Sequence, residues 1–106
     1  VLNNDELIPL LLLLITTVIL APAFEELVFR GVLLPVLVSK VGKINGVLLS
    51  ALIFALAHLS VGELPPLFVL GIGLALMRLS SGRLFPCALM HSLWNGVTFA
   101  SLLLVA

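Results

Sequence analysis

Long apolar runs separated by short polar segments dominate the chain. Each run exceeds ten residues, is rich in Leu and lacks an alternation of period two, which favours helices over strands. The strands of a membrane barrel would instead alternate over about ten residues. The predicted helices cover residues 7–21, 23–38, 46–59, 67–79 and 85–105. The predicted fold class is therefore all-α, a transmembrane bundle of about five helices.

Proline and glycine mark the predicted breaks between these helices. Pro22 is expected to end the first helix near Ala21 and to let a second begin at Ala23, because Pro is disfavoured inside helices. Gly42 lies in a polar turn, and a Pro-Pro pair follows Gly62 in the next loop. Asn4 or Asp5 is the expected N-cap of the first helix.

Composition changes the class of protein that these helices imply. Hydrophobic residues make up 62% of the 106 residues and charged residues 9%, against about 45–50% and 25% in soluble domains. Such a chain is predicted to be a multi-pass integral membrane protein, whose partner is the lipid bilayer. The formal net charge is zero, so nothing indicates a nucleic-acid partner. Cys87 is the single cysteine and is interpreted as a packing residue.

The charged residues near the predicted helix ends suggest an orientation. If every predicted helix crosses the bilayer, the basic residues share one side with the N-terminal acids, and Glu63 lies opposite. The residues on that shared side would be Lys40, Lys43, Arg78, Arg83, Asp5 and Glu6. Because the chain begins at Val1, we expect residues 1–106 to be one domain from a longer protein.

Several polar residues lie inside the apolar runs, where an ionisable side chain costs about 2.5–3.5 kcal/mol and usually marks function. Glu26 and Arg30 are four residues apart, so they share a helix face in the order that favours an ion pair. Glu25 lies about 100° further round the helix. One carboxylate can therefore be structural while the other remains free for chemistry.

The other polar residues repeat the four-residue spacing on two more predicted helices. Phe54 and His58 form one such pair, and His91 and Asn95 form another. At about 1.5 Å per residue, the distances from the polar helix ends agree to within one or two turns for four residues: Glu26, His58, His91 and Asn95. Three helices are therefore predicted to converge on one polar pocket.

This set of groups fits the hydrolysis of a peptide bond. A carboxylate in apolar surroundings is a competent general base for water, and imidazole and amide donors can stabilise an oxyanion. A second imidazole can orient the water or protonate the leaving amine. Zinc held by His and Glu is the alternative mechanism, although the HExxH motif is absent. The sequence itself requires no cofactor, and zinc remains possible.

Each pattern also has a structural interpretation. The Glu26–Arg30 pair alone could stabilise a helix, and His58 could cap a helix end. His91 and Asn95 could hydrogen-bond between membrane helices. At the level of function, the alternatives to an enzyme are a non-catalytic scaffold or bacteriocin-immunity-type protein and a fragment of a proton-coupled transporter. The transporter would show two repeats with broken helices, and none is visible.

Three motifs resemble those of the CAAX protease and bacteriocin-processing family, also called Abi, whose members are polytopic membrane endopeptidases. Residues 25–30 match its EExxxR motif, residues 54–58 its FxxxH motif and residues 91–95 its HxxxN motif, all in the family's order. The resemblance covers about residues 21–100. Segments such as FEELVFRGVLLP and LMHSLWN look most like cyanobacterial and plastid members.

The resemblance implies a role for each matching residue. Glu25 would be the principal water-activating base with His58 as its partner, and Glu26 with Arg30 would support it. His91 and Asn95 would form the oxyanion site, and Phe54 would support His58. If zinc takes part, the implied ligands are Glu25, His58 and His91.

The resemblance also implies a peptide or protein substrate, and well-known members cut prenylated CAAX proteins. Family members usually carry further helices before the first motif, and this chain has little there. We expect a cyanobacterial, plastid or bacterial inner membrane, and the identity of the substrate stays open.

Overall fold

Four helices make up the computed structural model, which describes residues 3–105. Within that range there is no strand, and the predicted all-α class is confirmed. The helices are α1 (Asn4–Val41), α2 (Lys43–Leu56), α3 (Leu64–Ser81) and α4 (Phe85–Val105). Asn3 is the N-cap of α1, one residue before the predicted cap, and it forms a capping box with Glu6.

Helix α1 continues through Pro22, so the first two predicted helices are one. Two π-helical segments, Thr16–Leu20 and Phe29–Leu33, interrupt its α-helical pattern. A proline follows each segment two residues later, at Pro22 and Pro35. The wider π turn changes the hydrogen-bond register just before each proline, which lets the helix continue past a residue that has no N–H.

The unbroken α1 also changes the expected distribution of charge. Asp5 and Glu6 lie in its first turn and Lys40 in its last, so the two acids and this lysine are at opposite ends of one helix. The expectation that they share a side of the membrane depends on a break at Pro22 that the chain does not make.

Close backbone contacts hold α1, α2 and α3 together. Gly42, with φ +92°, reverses the chain directly from α1 into α2. A Cβ added to Gly46 of α2 would lie 2.9 Å from the backbone of Val38 in α1, and one added to Gly71 of α3 would lie 3.0 Å from the Cα of Ala51 in α2. Small residues let membrane helices approach in this way.

The fully buried residues lie between α2, α3 and the adjoining parts of α1 and α4. The larger cluster combines apolar side chains with the one cysteine: Phe54, Ala55, Leu67, Leu70, Leu74 and Cys87. Cys87 is 0% exposed, as its interpretation as a packing residue requires. This core lies beside the polar residues of α1, so the polar groups are held by rigid neighbours.

The outer surface is strongly apolar. Side chains such as Leu12 and Ile19 on α1 and Leu93 on α4 are more than half exposed, which suits contact with lipid rather than water. In the described part of the chain, three helices are long and apolar enough to cross a bilayer: α1, α3 and α4. Helix α2, at about 21 Å, is shorter than the hydrocarbon core of about 30 Å.

Candidate active site

A buried ion pair within α1 lies at the bottom of the site. Glu26 Oε2 accepts a hydrogen bond from Arg30 Nη1 at 3.1 Å, and both side chains are 1% exposed. Arg30 Nη2 donates a second bond, 3.2 Å long, to the carbonyl oxygen of Gly71 on α3. The guanidinium carbon also lies 4.3 Å from the ring centroid of Phe54. The arginine therefore joins α1 to both α2 and α3.

Helix α4 joins this pair through His91, which is 1% exposed. His91 Nδ1 lies 2.7 Å from Glu26 Oε2, the oxygen that already accepts from Arg30. Because a carboxylate that accepts from a guanidinium is ionised, His91 Nδ1 carries the proton and donates it. The other ring nitrogen, Nε2, points to Glu25 Oε1 at 3.5 Å. One imidazole thus separates two neighbouring carboxylates.

Glu25 has the opposite environment to Glu26. Its side chain is 29% exposed, and Oε1 lies 3.5 Å from His91 Nε2 and 3.8 Å from His58 Nε2. Both distances exceed those of good hydrogen bonds, and Oε1 has no hydrogen-bond partner among residues 3–105. Oε1 itself is buried, and the exposed part of the Glu25 side chain lines the same cavity as His58.

The end of α2 fixes His58. Leu59, with φ +56°, adopts a left-handed conformation that ends the helical path, and the His58 backbone N–H turns to the carbonyl of Ala55. The carbonyl of Phe54 then lies 2.8 Å from His58 Nδ1. Since a carbonyl only accepts, Nδ1 donates, and the other ring nitrogen, Nε2, is directed at Glu25.

Phe54 lies at the centre of these groups and is 0% exposed. Its ring meets the rings of His58, His91 and Phe29 edge-on, with centroids 4.8, 5.5 and 5.3 Å away. Such aromatic contacts restrict the imidazoles to one orientation. The aromatic residue predicted to lie beside His58 therefore also contacts His91 and Arg30.

Asn95 lies one turn beyond His91 on α4 but contacts a different part of α1. Its Nδ2 donates to the carbonyl oxygen of Thr17 at 2.9 Å. Thr17 was not among the residues singled out from the sequence. The signal for it is Pro22, five residues later, which cannot donate a backbone hydrogen bond.

A cavity of about 370 Å³ opens beside Glu25, and several of the predicted site residues line it. Its walls come from α1, α3, α4 and the segment between α2 and α3: Thr17, Ala21, Glu25, His58, Glu63, Pro66, Leu67, Trp94, Asn95 and Thr98. Glu26, Arg30, Phe54 and His91 are not part of its lining. The structure therefore places the predicted residues in two groups, one facing the cavity and one behind it.

The same residues include the ligands that a zinc mechanism would use. Between residues 3 and 105, no group of three or more His, Cys, Asp or Glu side chains is arranged to hold a metal ion. His91 uses one nitrogen to bond Glu26, which leaves only Nε2 for another partner. The zinc mechanism, with Glu25, His58 and His91 as ligands, stays a prediction.

One comparison with known proteins decides the family. The family model for Rce1-like type II CAAX prenyl endopeptidases matches residues 7–97. The chain belongs to this family. Comparisons of the Rce1-like chain with curated proteins and with solved structures gave no match.

Family membership and the apolar helices together indicate where the protein is located and what kind of function it has. An Rce1-like chain with three long apolar helices is an integral membrane protein, and the family supports an intramembrane protease-like function on peptide or protein substrates. The match includes all six polar residues singled out from the sequence: Glu25, Glu26, Arg30, His58, His91 and Asn95.

Proposed function

We propose that this chain is an intramembrane endopeptidase that hydrolyses a peptide bond with water activated by Glu25. The observation that carries the proposal is the approach of Glu25 Oε1 to two imidazole nitrogens, at 3.5 and 3.8 Å, on the wall of an open cavity. A carboxylate without a hydrogen-bond partner of its own can accept a proton from a water in the cavity. The resulting hydroxide adds to the carbonyl carbon of the substrate.

His58 is the partner of Glu25 in this step. Its Nδ1 is occupied by the carbonyl of Phe54, so Nε2 is the nitrogen that accepts a hydrogen bond from the water. The water is then held by two acceptors, which directs an oxygen lone pair toward the substrate. The proton taken up by Glu25 returns to the amine when the C–N bond breaks.

His91 and Asn95 stabilise the oxyanion of the tetrahedral intermediate. For His91 to donate from Nε2 while Nδ1 donates to Glu26, the ring must be an imidazolium. Glu26 Oε2, 2.7 Å from Nδ1, accepts from that nitrogen, and Arg30 holds the carboxylate in place. Asn95 adds an amide N–H from the cavity wall.

The substrate we propose carries an apolar chain near the scissile bond, as a prenylated peptide does. An apolar groove of about 400 Å³ runs between α1 and α4 and shares Thr17, Asn95 and Thr98 with the catalytic cavity. Its remaining walls are apolar: Leu10, Leu13, Phe99, Leu102 and Leu103. An isoprenoid bound there would lie directly beside the proposed oxyanion site.

The test is cleavage of a quenched peptide library by the full chain in liposomes. The library contains prenylated and unprenylated members of the same sequences, and the assay compares wild type with Glu25→Ala, with and without a chelator. Cleavage that survives chelation and is lost in Glu25→Ala supports the proposal. Cleavage that is lost on chelation and restored by zinc would replace it with a zinc mechanism, and equal activity in both proteins would reject it.

A further inference from the structure

The carbonyl of Thr17 has no backbone donor within α1. In the π segment Thr16–Leu20, the N–H of Ala21 donates to the carbonyl of Thr16, five residues earlier. The donor for Thr17 in this register would be residue 22, which is Pro22 and has no N–H. A carbonyl shielded from water is costly to leave without a partner, and this part-buried carbonyl is satisfied from outside its own helix.

Asn95 of α4 supplies the missing donor. Its Nδ2 lies 2.9 Å from Thr17 O, across 78 residues of sequence. An amide side chain can present either its oxygen or its nitrogen to a neighbour, but a carbonyl accepts only the nitrogen. The bond therefore fixes which way the Asn95 amide is turned. One N–H is used by Thr17, and the other remains for the cavity that Asn95 and Thr17 both line.

We propose that Pro22 is a positioning residue for Asn95. By having no N–H, Pro22 keeps the Thr17 carbonyl free, and that carbonyl orients the amide so that a donor faces the cavity. The inference rests on the proposed function, because the donor matters for catalysis only if Asn95 stabilises an oxyanion. An N–H at position 22 would compete for the same carbonyl and release the amide to turn.

A backbone carbonyl freed by a helix irregularity also orients His58. The irregular end of α2 turns the His58 N–H to Ala55, which frees the carbonyl of Phe54 for the imidazole. In both places, a helix irregularity frees a carbonyl, and a side chain of the cavity wall is oriented by it. Two separate helices thus use their own backbone to set the hydrogen-bonding direction of a cavity side chain.

Pro35 provides a matched control within α1. It follows the second π segment as Pro22 follows the first, and Leu34 N–H donates to Phe29 O in the same five-residue register. Pro22 is buried and lies five residues after Thr17 of the cavity wall, whereas Pro35 is exposed, and no residue of the second π segment lines the cavity. A general effect of removing a proline after a π turn should therefore arise at both positions, and loss of Asn95 positioning only at Pro22.

The kinetic test compares Pro22→Ala with Pro35→Ala in the full chain. We expect Pro22→Ala to lower kcat by about tenfold, the equivalent of one hydrogen bond to a charged group, with KM unchanged. Pro35→Ala should retain wild-type kcat, and Pro22→Ala should cause no further loss in an Asn95→Ala background. An unchanged kcat in Pro22→Ala, or an equal loss in the Asn95→Ala background, would overturn the proposal.

A second arm needs no enzymatic activity. The loss of Tm caused by Asn95→Ala is measured in wild type and in Pro22→Ala, so that the packing lost at buried Pro22 cancels in the difference. We expect a clearly smaller loss in Pro22→Ala, where the N–H of residue 22 replaces the Asn95 donor at Thr17. Equal losses would overturn the linkage. A smaller loss without detectable proteolysis would retain the linkage and reject the proposed function.

Discussion

Glu25 and Glu26 are adjacent in the chain, yet they lie in contrasting environments. Glu26 is 1% exposed, and its Oε2 is held by Arg30 at 3.1 Å and by His91 at 2.7 Å. Glu25 is 29% exposed, faces the cavity, and its Oε1 has no hydrogen-bond partner among residues 3–105. The helix itself produces the difference, because consecutive side chains diverge by about 100°.

The contrast teaches how one helix turn can serve both the structure and the chemistry of a membrane site. The anchored side, formed by Glu26 and Arg30 with Nδ1 of His91, joins α1 to its neighbours, and neither Glu26 nor Arg30 lines the cavity. The open side, formed by Glu25 and His58, has the freedom to bind water. His91 belongs to both, since its two nitrogens face the two carboxylates.

The largest effect is expected from removing the base on the open side. Glu25→Gln keeps the size of the side chain but cannot accept the proton of water, so kcat should fall by about 10³-fold. The Tm should stay close to that of wild type because Glu25 has no direct hydrogen bond to lose. Turnover and thermal unfolding in the same detergent would measure both. Retained turnover in Glu25→Gln would refute the division between the two carboxylates.

Breaking the anchored side should mainly affect stability. Glu26→Gln leaves the guanidinium of Arg30 buried without a counter-charge, which typically costs about 3–5 kcal/mol of folding free energy. The change would be measured by chemical unfolding in detergent. Glu63→Gln is the matched control, since Glu63 is an exposed cavity acid, and it should leave the free energy of unfolding almost unchanged. Similar stabilities for the two variants would contradict the anchored role.

The two histidines extend the comparison to α2 and α4. His58→Gln should reduce kcat by about 10²-fold with little change in Tm, because His58 is 27% exposed and bonds only its own helix. His91→Gln should reduce both quantities, because it also removes a buried partner of Glu26. A His91→Gln variant as stable as His58→Gln would show that the imidazole contributes nothing to the anchored side.

The smallest effect concerns the carbonyl that receives Arg30. In Gly71→Ala, the new Cβ would meet Ala51 Cα at 3.0 Å, and overpacking of this kind costs about 1–3 kcal/mol. In Gly73→Ala, only the end of Met90 comes near, at 3.8 Å, and the better helix propensity of Ala should stabilise by up to about 1 kcal/mol. Unfolding of both variants tests the difference, and equal shifts would exclude close packing at Gly71.

The fold class and the grouping of polar residues could be predicted because both follow from local periodicity. The four-residue spacing places Arg30 beside Glu26 and separates Glu25 from both, and no tertiary information is needed. The spacing of His91 and Asn95 likewise predicts a shared face. It does not predict that Asn95 contacts Thr17 while His91 contacts Glu26, because those partners lie on another helix.

The continuity of α1 through Pro22 could not be predicted from propensity. Pro removes a backbone hydrogen bond and usually breaks a helix, and a break was the reasonable expectation. The structure avoids it by a π turn and by a donor from Asn95, which is 73 residues further along the chain. Tertiary hydrogen bonding thus overrides the local tendency of proline to end a helix.

The most direct test of the central claim is rescue by a small carboxylate. Formate is added to Glu25→Ala and to Glu26→Ala in liposomes, and peptide cleavage is measured against formate concentration. The open cavity should admit formate beside His58 and His91 and restore turnover in Glu25→Ala alone. Recovery in Glu26→Ala, or no recovery in Glu25→Ala, would contradict the claim that Glu25 is the accessible base and Glu26 the buried anchor.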